Sequence, residues 1–520
     1  PAFGMKDNIS ETIQNNQVVV ISGATGSGKT TQVPQFVLDE LISGNRGAHA
    51  NILVTQPRRI SAIGVAERMA AERCEKCGQT VGYSIKLEKK MSKHTRLLLC
   101  TTGVLLRRLM GDPDLAAISH VFVDEVHQRD VQTDFILIIL RELLKRRKGL
   151  KVILMSATLN AAAFSDYFGG CAVVSIPGRT HPVQEFRLED ILQETGHEID
   201  EDSEFAAKKK SDSKRRENEA KGEERLSKTA LKRLYYPKYN SQVIHSLSVV
   251  DESLVNYELL ARLLEHICMT KEEGAILVFM PGMMEITKAI DEARKKEFFQ
   301  SPSVLMLPLH SSLSSSEQTA VFDIPPKGVR KIVISTNIAE TSITIEDVVF
   351  VVDSGRVKEN QRDELNGTPS LVEAWVSRAS ANQRRGRAGR VRPGVAYHMF
   401  SSHTHDNQLK EYQLPEMQRV GLEDLVLQIL VLDLGHPVDF LAQAMDPPSA
   451  MSVRNSLKLL EELGAIECIW IDDGSTITEV SEQRDCSALS VDVELTPLGF
   501  HLATLPVDPR VGKMIIYGAM

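Results

Sequence analysis

Short apolar runs recur along the first third of the chain and are separated by segments with helical periodicity. Segments such as Ser61 to Arg73 and Asp134 to Arg146 repeat apolar residues every three to four positions, which is typical of amphipathic helices. Apolar runs of strand length between such helices are typical of parallel strands buried on both faces. The pattern therefore predicts a doubly wound α/β domain. The predicted strands are Gln17 to Gly23, Asn51 to Pro57, Leu97 to Thr102, His120 to Val126, Leu150 to Thr158 and Ala172 to Gly178.

A second series of apolar runs begins at Gly274 and predicts a second α/β domain in tandem with the first. After Ser401 the pattern becomes helical, and a short β-like run at Ile466 to Ile471 suits a small winged-helix unit. A further helical domain is expected to open near Pro506 and to be truncated by the end of the chain. The expected domains are 1–181, 182–401, 402–505 and 506–520. The second series of predicted strands is Gly274 to Pro281, Ser303 to His310, Arg330 to Asn337, Asp347 to Gly355 and Val395 to Ser401, and the later predicted helices are Glu416 to Leu434 and Ser452 to Leu463.

The composition is that of an ordinary globular protein, with 42% apolar and 25% charged residues. No uninterrupted apolar run approaches the roughly 20 residues that cross a bilayer, so no membrane association is expected. The start of the chain lacks the features of a signal peptide, and seven widely spaced cysteines predict reduced thiols in the cytoplasm, the nucleus or both. The net charge of −8 neither indicates nor excludes a nucleic-acid binder, because a few arginines and backbone amides can hold phosphates locally.

The first predicted strand runs into a phosphate-binding pattern, G-x-x-x-x-G-K-T, at Gly23 to Thr30. Glycines let the loop curl so that its amide N–H groups and the following helix N-terminus point at phosphate. Lys29 is expected to neutralise β- and γ-phosphate charge, and the Thr30 hydroxyl to bind Mg²⁺. The candidate nucleotide contacts are Gly23, Thr25, Gly26, Ser27, Gly28, Lys29, Thr30 and Thr31.

A pair of carboxylates follows the apolar run Val121 to Val123. Asp124 is expected to hold Mg²⁺ through water, and Glu125 to accept the proton of the attacking water. The alternative is that both acids only cap the next helix. The preceding phosphate-binding loop favours the catalytic interpretation, with Thr30, Asp124 and Glu125 as the candidate magnesium residues.

Asp124-Glu125-Val126-His127 resembles motif II of superfamily 2 helicases of the DExH kind, and the neighbouring motifs occur in that family's order. The resemblance spans nearly the whole chain and points to the DEAH/RHA-type RNA helicases, in particular the RHA-related branch. It implies two tandem RecA-like parallel-sheet domains, a winged-helix domain and the start of a helical domain. It also implies Mg²⁺-dependent ATP hydrolysis coupled to 3′-to-5′ translocation and unwinding of structured RNA, G-quadruplexes included. The other matching segments are Thr55 to Arg59, Thr101 to Gly103, Ser156 to Thr158, Ile334 to Ile345 and Gln383 to Arg390.

The last of these segments, motif VI, carries three side chains that suit phosphoryl transfer. Arg387 and Arg390 follow Gln383 by four and seven residues, so they are expected to share one helical face with it. Guanidinium groups from the second domain would stabilise the charge that the γ-phosphate gathers in the transition state, and Gln383 would orient the water. The alternative is a basic stripe that only binds RNA phosphate.

The resemblance also implies how the nucleoside is held. Adenine is expected between Arg68 of the first domain and Phe322 of the second, and discrimination among the four NTPs should be weak because every base offers a face for stacking. From the residues alone, Arg68 is an ordinary surface arginine and Phe322 an ordinary core aromatic. Glu346 stands where the family usually has Asp near the ribose. The residues expected to couple hydrolysis to movement are His127, Ser156 and Thr158.

Contacts to a single-stranded RNA backbone require hydroxyls, amides and a few guanidiniums at strand ends. Each Ser or Thr of this set has the alternative of being a cap or turn residue. The residues that match the family's RNA-binding positions are Arg58, Arg59, Thr101 and Thr102 in the first domain, and Ser312, Thr336, Asn337 and Thr341 in the second.

Two segments interrupt the α/β pattern of the second domain. An insertion near 189–245 carries eight acidic residues between Glu189 and Glu204, followed by a Lys/Arg-rich stretch through Tyr239. Opposite charge blocks are usually solvated or disordered, and a mobile basic arm on RNA is the alternative. Residues 357–377 place Asn366-Gly367 between two β-competent arms and predict a hairpin, which resembles the family's strand-separating wedge. A plain surface hairpin is the alternative.

The expected function is an ATP-dependent RNA helicase core that acts as a monomer on a single-stranded RNA tail next to structured RNA. DNA is a further candidate substrate, and a G-patch protein or another activator is a candidate partner. The main alternative is an RNA-clamping scaffold with a weak or vestigial ATPase. Such a scaffold would be expected to lack Lys29, Glu125 or Arg387, and all three are present.

Overall fold

The computed structural model describes residues 1–24, 26–157, 161–178, 181–207, 228–340, 345–362, 369–470, 491–505 and 507–519. Three candidate site residues, Thr25, Thr158 and Thr341, lie outside the described residues, as does the Asn366-Gly367 turn. The chain divides into two compact units. Pro1–Gly178, Asn360–Leu371 and Leu414–Met520 form the first unit, and Arg179–Glu359 with Val372–Gln413 forms the second.

The first unit contains an eight-stranded sheet in the order β4-β3-β5-β2-β6-β7-β1-β8. All its neighbouring strands run parallel except β3 and β4, which form an antiparallel edge pair. The strands are β1 (Val18–Gly23), β2 (Ile52–Gln56), β3 (Val81–Ile85), β4 (Glu88–Lys90), β5 (Leu97–Thr101), β6 (His120–Val123), β7 (Lys151–Ser156) and β8 (Ala172–Ile176). The helices are α1 (Lys6–Asn15), α2 (Lys29–Ser43), α3 (Arg59–Glu72), α4 (Thr102–Gly111), α5 (Val131–Arg146) and α6 (Ala161–Tyr167).

Strand β1 shows why the strands of this sheet appear in the sequence as continuous apolar runs. Val19 and Ile21 belong to one buried cluster together with Phe36 of α2. Val20 points to the opposite face and belongs to a second cluster together with Phe135 of α5. Because helices cover both faces, every position along such a strand is apolar and the period-two alternation of a half-exposed strand is lost.

The second unit contains a six-stranded, all-parallel sheet in the order β11-β12-β10-β13-β16-β9. Strands β14 and β15 pair in a separate two-stranded sheet, which confirms the predicted hairpin arms. Their residues within Asn360–Leu371 are assigned to the first unit and the rest to the second. The strands are β9 (Val183–Phe186), β10 (Ala275–Phe279), β11 (Val304–Leu309), β12 (Arg330–Ser335), β13 (Val348–Asp353), β14 (Arg356–Arg362), β15 (Pro369–Trp375) and β16 (Gly394–His398). The helices are α7 (Leu188–Thr195), α8 (Lys228–Tyr235), α9 (Ser241–Val249), α10 (Tyr257–Thr270), α11 (Met283–Arg294), α12 (Ser315–Thr319), α13 (Arg378–Arg385) and α14 (Ser402–Asn407).

Helices α7, α8 and α9 lie in the charged insertion, so the prediction of a solvated or disordered block is wrong for these segments. Leu188, Ile191 and Leu192 of α7 are buried in one cluster with Leu231 and Tyr235 of α8. Apolar residues at helical spacing were present between the charges, and they bury one face of each helix. Glu189 of α7 is buried as well and bonds Ser402. Residues 208–227 of the insertion are outside the described residues.

The segment after residue 414 packs into the first unit. Phe440 meets Phe135 of α5 edge to face, with ring centroids 5.7 Å apart. The predicted helix from Glu416 to Leu434 is interrupted because backbone groups in its middle bond elsewhere: the Arg362 N–H donates to the Arg419 carbonyl at 2.8 Å. The elements are α15 (Glu423–Val431), α16 (Pro437–Leu441), α17 (Ala450–Glu462), β17 (Ile466–Trp470), β18 (Val491–Leu495), α18 (Pro497–Thr504) and α19 (Pro509–Ala519).

The limits of the units fall near two of the expected domain limits, but residues 402–505 do not form a unit of their own. Residues 402–413 group with the second unit, whereas helices α15 to α18 share one buried apolar cluster with α5, and this common core explains why they group with the first sheet. Among the helices of the described residues, none has both the length and the apolar surface that a bilayer crossing requires.

Candidate functional site

The phosphate-binding loop joins β1 to α2, and α2 begins at Lys29. Gly26 and Gly28 have φ of 83° and 88°, a left-handed conformation that side chains rarely adopt, so the loop curls as its glycine spacing predicted. At Gly23 an added Cβ would lie 3.0 Å from Ser27 Oγ, which leaves little room for any other residue. Lys29 is buried at the helix start, where the dipole and the amide N–H groups favour an anion.

Asp124 lies at the end of β6 and is held from two sides. Thr30 Oγ1 and Gln56 Nε2 both donate to its Oδ2, at 2.8 and 2.6 Å. The Glu125 N–H donates to the other oxygen at 2.8 Å. Burial and the neighbouring Glu125 charge raise the pKa of Asp124, and nearby Lys29 opposes this effect. A carboxylate and a hydroxyl this close are the oxygen donors that Mg²⁺ prefers, so these residues fit a magnesium ion.

Glu125 is next to this carboxylate in a left-handed backbone conformation, with φ of 56°. Such a conformation costs about 1–3 kcal/mol at a residue other than glycine and is characteristic of functional sites. Its Oε2 lies 3.2 Å from Nε2 of His127, and both side chains are almost fully buried. The other ring nitrogen of His127 accepts from the Ala157 N–H at 3.1 Å. Because Nδ1 accepts, the ring proton is on Nε2 and faces Glu125. His127 therefore links the general-base candidate to the segment after Ser156.

Motif VI begins in α13, but the helix ends at Arg385. The expectation that Gln383, Arg387 and Arg390 share one helical face is therefore wrong. Arg387 N donates to the Arg384 carbonyl at 3.0 Å, a tightened final turn, and the chain then passes close to other backbone. A Cβ at Gly389 would lie 2.6 Å from the His181 carbonyl oxygen, so only glycine fits there.

Arg384 is a structural residue at the centre of the second unit. Its guanidinium is fully buried and bonds Glu340 at 2.9 Å and Asp353 at 2.7 Å. It also lies 4.9 Å from the centroid of the Phe279 ring. Although burial acts to raise it, the pKa of Asp353 is held well below its usual range by Arg384 together with His398.

Arg387 and Arg390, the two candidate arginine fingers for the γ-phosphate, differ in exposure. Arg387 is buried, and its guanidinium donates to the backbone carbonyl of Glu340. Arg390 and Gln383 are half-buried. Glu340 therefore positions motif VI twice, through its carboxylate on Arg384 and its backbone carbonyl on Arg387.

Comparison with known proteins identifies the family. The model described as DEAD/DEAH box helicase matches residues 6–166, and the one described as Helicase conserved C-terminal domain matches residues 256–392. The chain belongs to the DExH/DEAH-type helicases of superfamily 2. Among its relatives are the DExH-box ATP-dependent RNA helicase DExH1 of Arabidopsis thaliana, 47% identical over all of this chain and 50% of the relative, and DExH3 of the same plant, 45% identical over all of this chain and 42% of the relative. The ATP-dependent DNA/RNA helicase DHX36 of Bos taurus is 44% identical over all of this chain and 50% of its own length. The chain thus spans about half the length of these relatives or less.

The two base-stacking candidates of this helicase chain are both accessible. Arg68 projects from α3 with 66% of its side chain exposed, and its Nε bonds Glu72 at 2.7 Å. Phe322 is 38% exposed at the end of the turn Ala320–Phe322, whereas the adjacent Val321 is fully buried. An aromatic beside a buried valine but itself open to solvent is available to a ligand face. Glu346 is exposed as well.

The candidate RNA residues lie at the carboxyl ends of parallel strands, the edge at which α/β sheets bind ligands. Arg58 and Arg59 follow β2, and Arg59 Nη2 donates to the Lys86 carbonyl at 3.3 Å. Thr101 ends β5, and Thr102 is buried at the start of α4. In the second unit, Ser312 Oγ lies 2.7 Å from His310 Nδ1, Thr336 is buried directly after β12, and Asn337 is exposed.

Sequence reasoning missed two residues of the first unit that hold the site in place. Gln56 was grouped with the RNA-binding segment that follows it, yet it bonds Asp124 because β2 and β6 are neighbours in the sheet. Arg129 lies four residues after Glu125 and has φ of 52°. Its guanidinium pairs with Asp134 at 2.9 Å and with Asp446 at 2.7 Å. The polar end of a buried strand was the available signal for Gln56. For Arg129 there was none, because Asp446 is remote in sequence.

Proposed function

We propose that this chain is the motor core of an ATP-dependent RNA helicase, which hydrolyses ATP and advances along single-stranded RNA from 3′ to 5′. The observation that carries the proposal is the arrangement around Asp124. Thr30 and Gln56 orient this carboxylate for Mg²⁺, and His127 holds Glu125 beside it as a base. A scaffold with a vestigial ATPase would not need a base held in a strained conformation.

In the proposed reaction, the loop amides and Lys29 bind the phosphates, and Thr30 with Asp124 holds Mg²⁺. When bound, the ion would supply charge neutralisation at the phosphates. Glu125 accepts the proton of the attacking water, which Gln383 orients. Arg387 and Arg390 stabilise the charge that gathers on the γ-phosphate, and His127 transmits the protonation of Glu125 to the segment at Ser156 and Thr158.

The proposed RNA path uses backbone contacts that do not read sequence. Arg58, Arg59, Thr101 and Thr102 contribute from the first unit, and Ser312, Thr336, Asn337 and Thr341 from the second. The β14–β15 hairpin acts as the strand-separating element. Relatives named DNA/RNA helicases favour activity on DNA as a second substrate class. We also propose that the protein acts as a monomer, works with an activator protein and is located in the cytoplasm, the nucleus or both.

Hydrolysis by the protein is expected to rise on addition of single-stranded RNA. Lys29→Ala should lower the stimulated rate by about 10²–10³-fold, because the developing phosphate charge loses its main cation. The exposed Lys93→Ala is the matched control and should turn over like the wild type. Strand displacement on tailed RNA, DNA and quadruplex substrates then assigns the substrate class. RNA binding without any turnover in the wild type would favour the scaffold instead.

The four nucleoside triphosphates are expected to be hydrolysed at similar rates. Arg68 and Phe322 would hold the base by its faces alone, and each base offers such faces. Measuring kcat/KM for ATP, GTP, CTP and UTP checks this expectation. A preference for ATP of more than about a hundredfold would contradict stacking as the means of base recognition.

A further inference from the structure

Lys331 is a fully buried ammonium group in the second unit. It is the second residue of β12, and its side chain has no exposure to solvent. Its Nζ donates to the Val321 carbonyl at 2.9 Å and to the Asp323 carbonyl at 2.8 Å, and it forms an ion pair with the Asp347 carboxylate at an N–O distance of 2.8 Å. The ammonium thus has two hydrogen-bond acceptors and one oppositely charged partner.

These three partners belong to the two segments that carry the proposed nucleoside contacts. Val321 and Asp323 stand on either side of Phe322, so Lys331 fixes the backbone before and after the ring. Asp347 directly follows Glu346. At the end of the turn, the Asp323 N–H donates to the Ala320 carbonyl at 3.4 Å, a long hydrogen bond. The bonds from Lys331 to the carbonyls on both sides of Phe322 add to this contact and help to fix the position of the exposed ring.

We propose that Lys331 is a positioning residue for nucleoside binding: it fixes Phe322 and Glu346 relative to each other so that base and ribose meet a preorganised surface. The inference rests on the proposed function, in which these two residues contact the nucleoside. Burying a lysine is costly, and an apolar side chain would serve a purely structural role equally well. A fixed ring retains affinity that a mobile ring would lose on ordering. The reacting groups lie elsewhere, so Lys331 acts on KM and leaves kcat unchanged.

The test is a double-mutant cycle in which KM and kcat for ATP hydrolysis are measured at saturating RNA. Lys331→Met and Phe322→Ala should each raise KM for ATP about tenfold, the order expected for the loss of one stacked aromatic. Both should keep kcat within about twofold. The double variant should raise KM by less than the product of the two single effects, because positioning of the ring has no effect once the ring is gone and only the effect on Glu346 remains. Inhibition by inorganic tripolyphosphate, which has no nucleoside, should be unchanged in every variant. The exposed Lys327→Met, from the loop that precedes β12, is the control.

The outcomes separate this inference from the proposed function. If Phe322→Ala leaves KM unchanged, the stacking role is wrong and the inference falls with it. If Phe322→Ala raises KM but Lys331→Met does not, or if the two effects multiply, only the positioning role of Lys331 is overturned. Should Lys331→Met fail to fold, Asp347→Ala and Glu346→Ala provide the same cycle at the ribose side, where the Asp347 side chain is already 20% exposed.

Discussion

Thr30 and Gln56 both donate to the same oxygen of Asp124. Residues of separate sequence motifs therefore meet at one carboxylate, which supports the candidate magnesium site. Thr30 comes from the phosphate-binding loop and Gln56 from β2, so three strands of one sheet converge on the carboxylate. A side chain that orients a metal ligand commonly changes metal affinity or activity 10–100-fold when it is removed. Gln56 bonds Asp124 and is not a proposed nucleotide contact. A substitution of Gln56 therefore tests the magnesium site separately from nucleotide binding.

Gln56→Leu should raise the Mg²⁺ concentration that gives half-maximal ATP hydrolysis about 10–100-fold. The substitution keeps the volume but removes the donor to Asp124, whose carboxylate then loses its fixed orientation. A magnesium titration of the RNA-stimulated rate measures the effect, and the exposed Gln14→Leu is the matched control. An unchanged magnesium dependence in Gln56→Leu would mean that Asp124 does not serve the ion.

At the scale of elements, the second unit is organised around one buried ion network. Arg384 of α13 bonds Glu340, which follows β12, and Asp353, which ends β13. Removing one partner of a buried pair costs about 3–5 kcal/mol, because the other charge stays buried without compensation. This network fixes the start of motif VI, so the position of Arg387 depends on it.

Asp353→Asn should destabilise the second unit by about 3 kcal/mol at pH 7. The folded-state pKa of Asp353 lies below its ordinary value, so its contribution is present above about pH 4 and is lost as pH falls further. The stability gap between wild type and Asp353→Asn should thus narrow from pH 5 to pH 3. Denaturant unfolding followed by Trp375 fluorescence, in a Trp470→Phe background, measures it. Asp291→Asn, exposed on α11, is the control, and a gap independent of pH would refute the assignment.

The elements also show what could be predicted from the sequence. The phosphate-binding loop and the Asp124-Glu125 pair follow from local strand-loop-helix patterns, and the helix start at Lys29 agrees with them. Strand β9 was missed because Val183–Phe186 has a half-exposed edge pattern rather than an apolar run. The end of α13 at Arg385 was missed because it depends on the close approach of Gly389 to His181, which no local pattern encodes.

At the scale of the whole molecule, the residues proposed for one reaction are divided between two units. The phosphate-binding residues belong to the first unit and the candidate fingers to the second. Local sequence patterns specify each set separately, since each lies at the end of its own parallel sheet. Substrate choice and partners could not be predicted in the same way, because the chain covers about half of its relatives or less.

The most direct test of this account is the RNA-stimulated hydrolysis rate of Arg387→Ala at saturating ATP. Related arginine fingers contribute about 10³–10⁵-fold, so the rate should fall at least 10³-fold while a fluorescent ATP analogue still binds. Arg385→Ala, a neighbouring arginine that pairs with Glu185, should retain the wild-type rate, and unchanged Trp375 emission would confirm that both variants are folded. Hydrolysis by folded Arg387→Ala at the wild-type rate would contradict the central claim that the second unit supplies a catalytic charge.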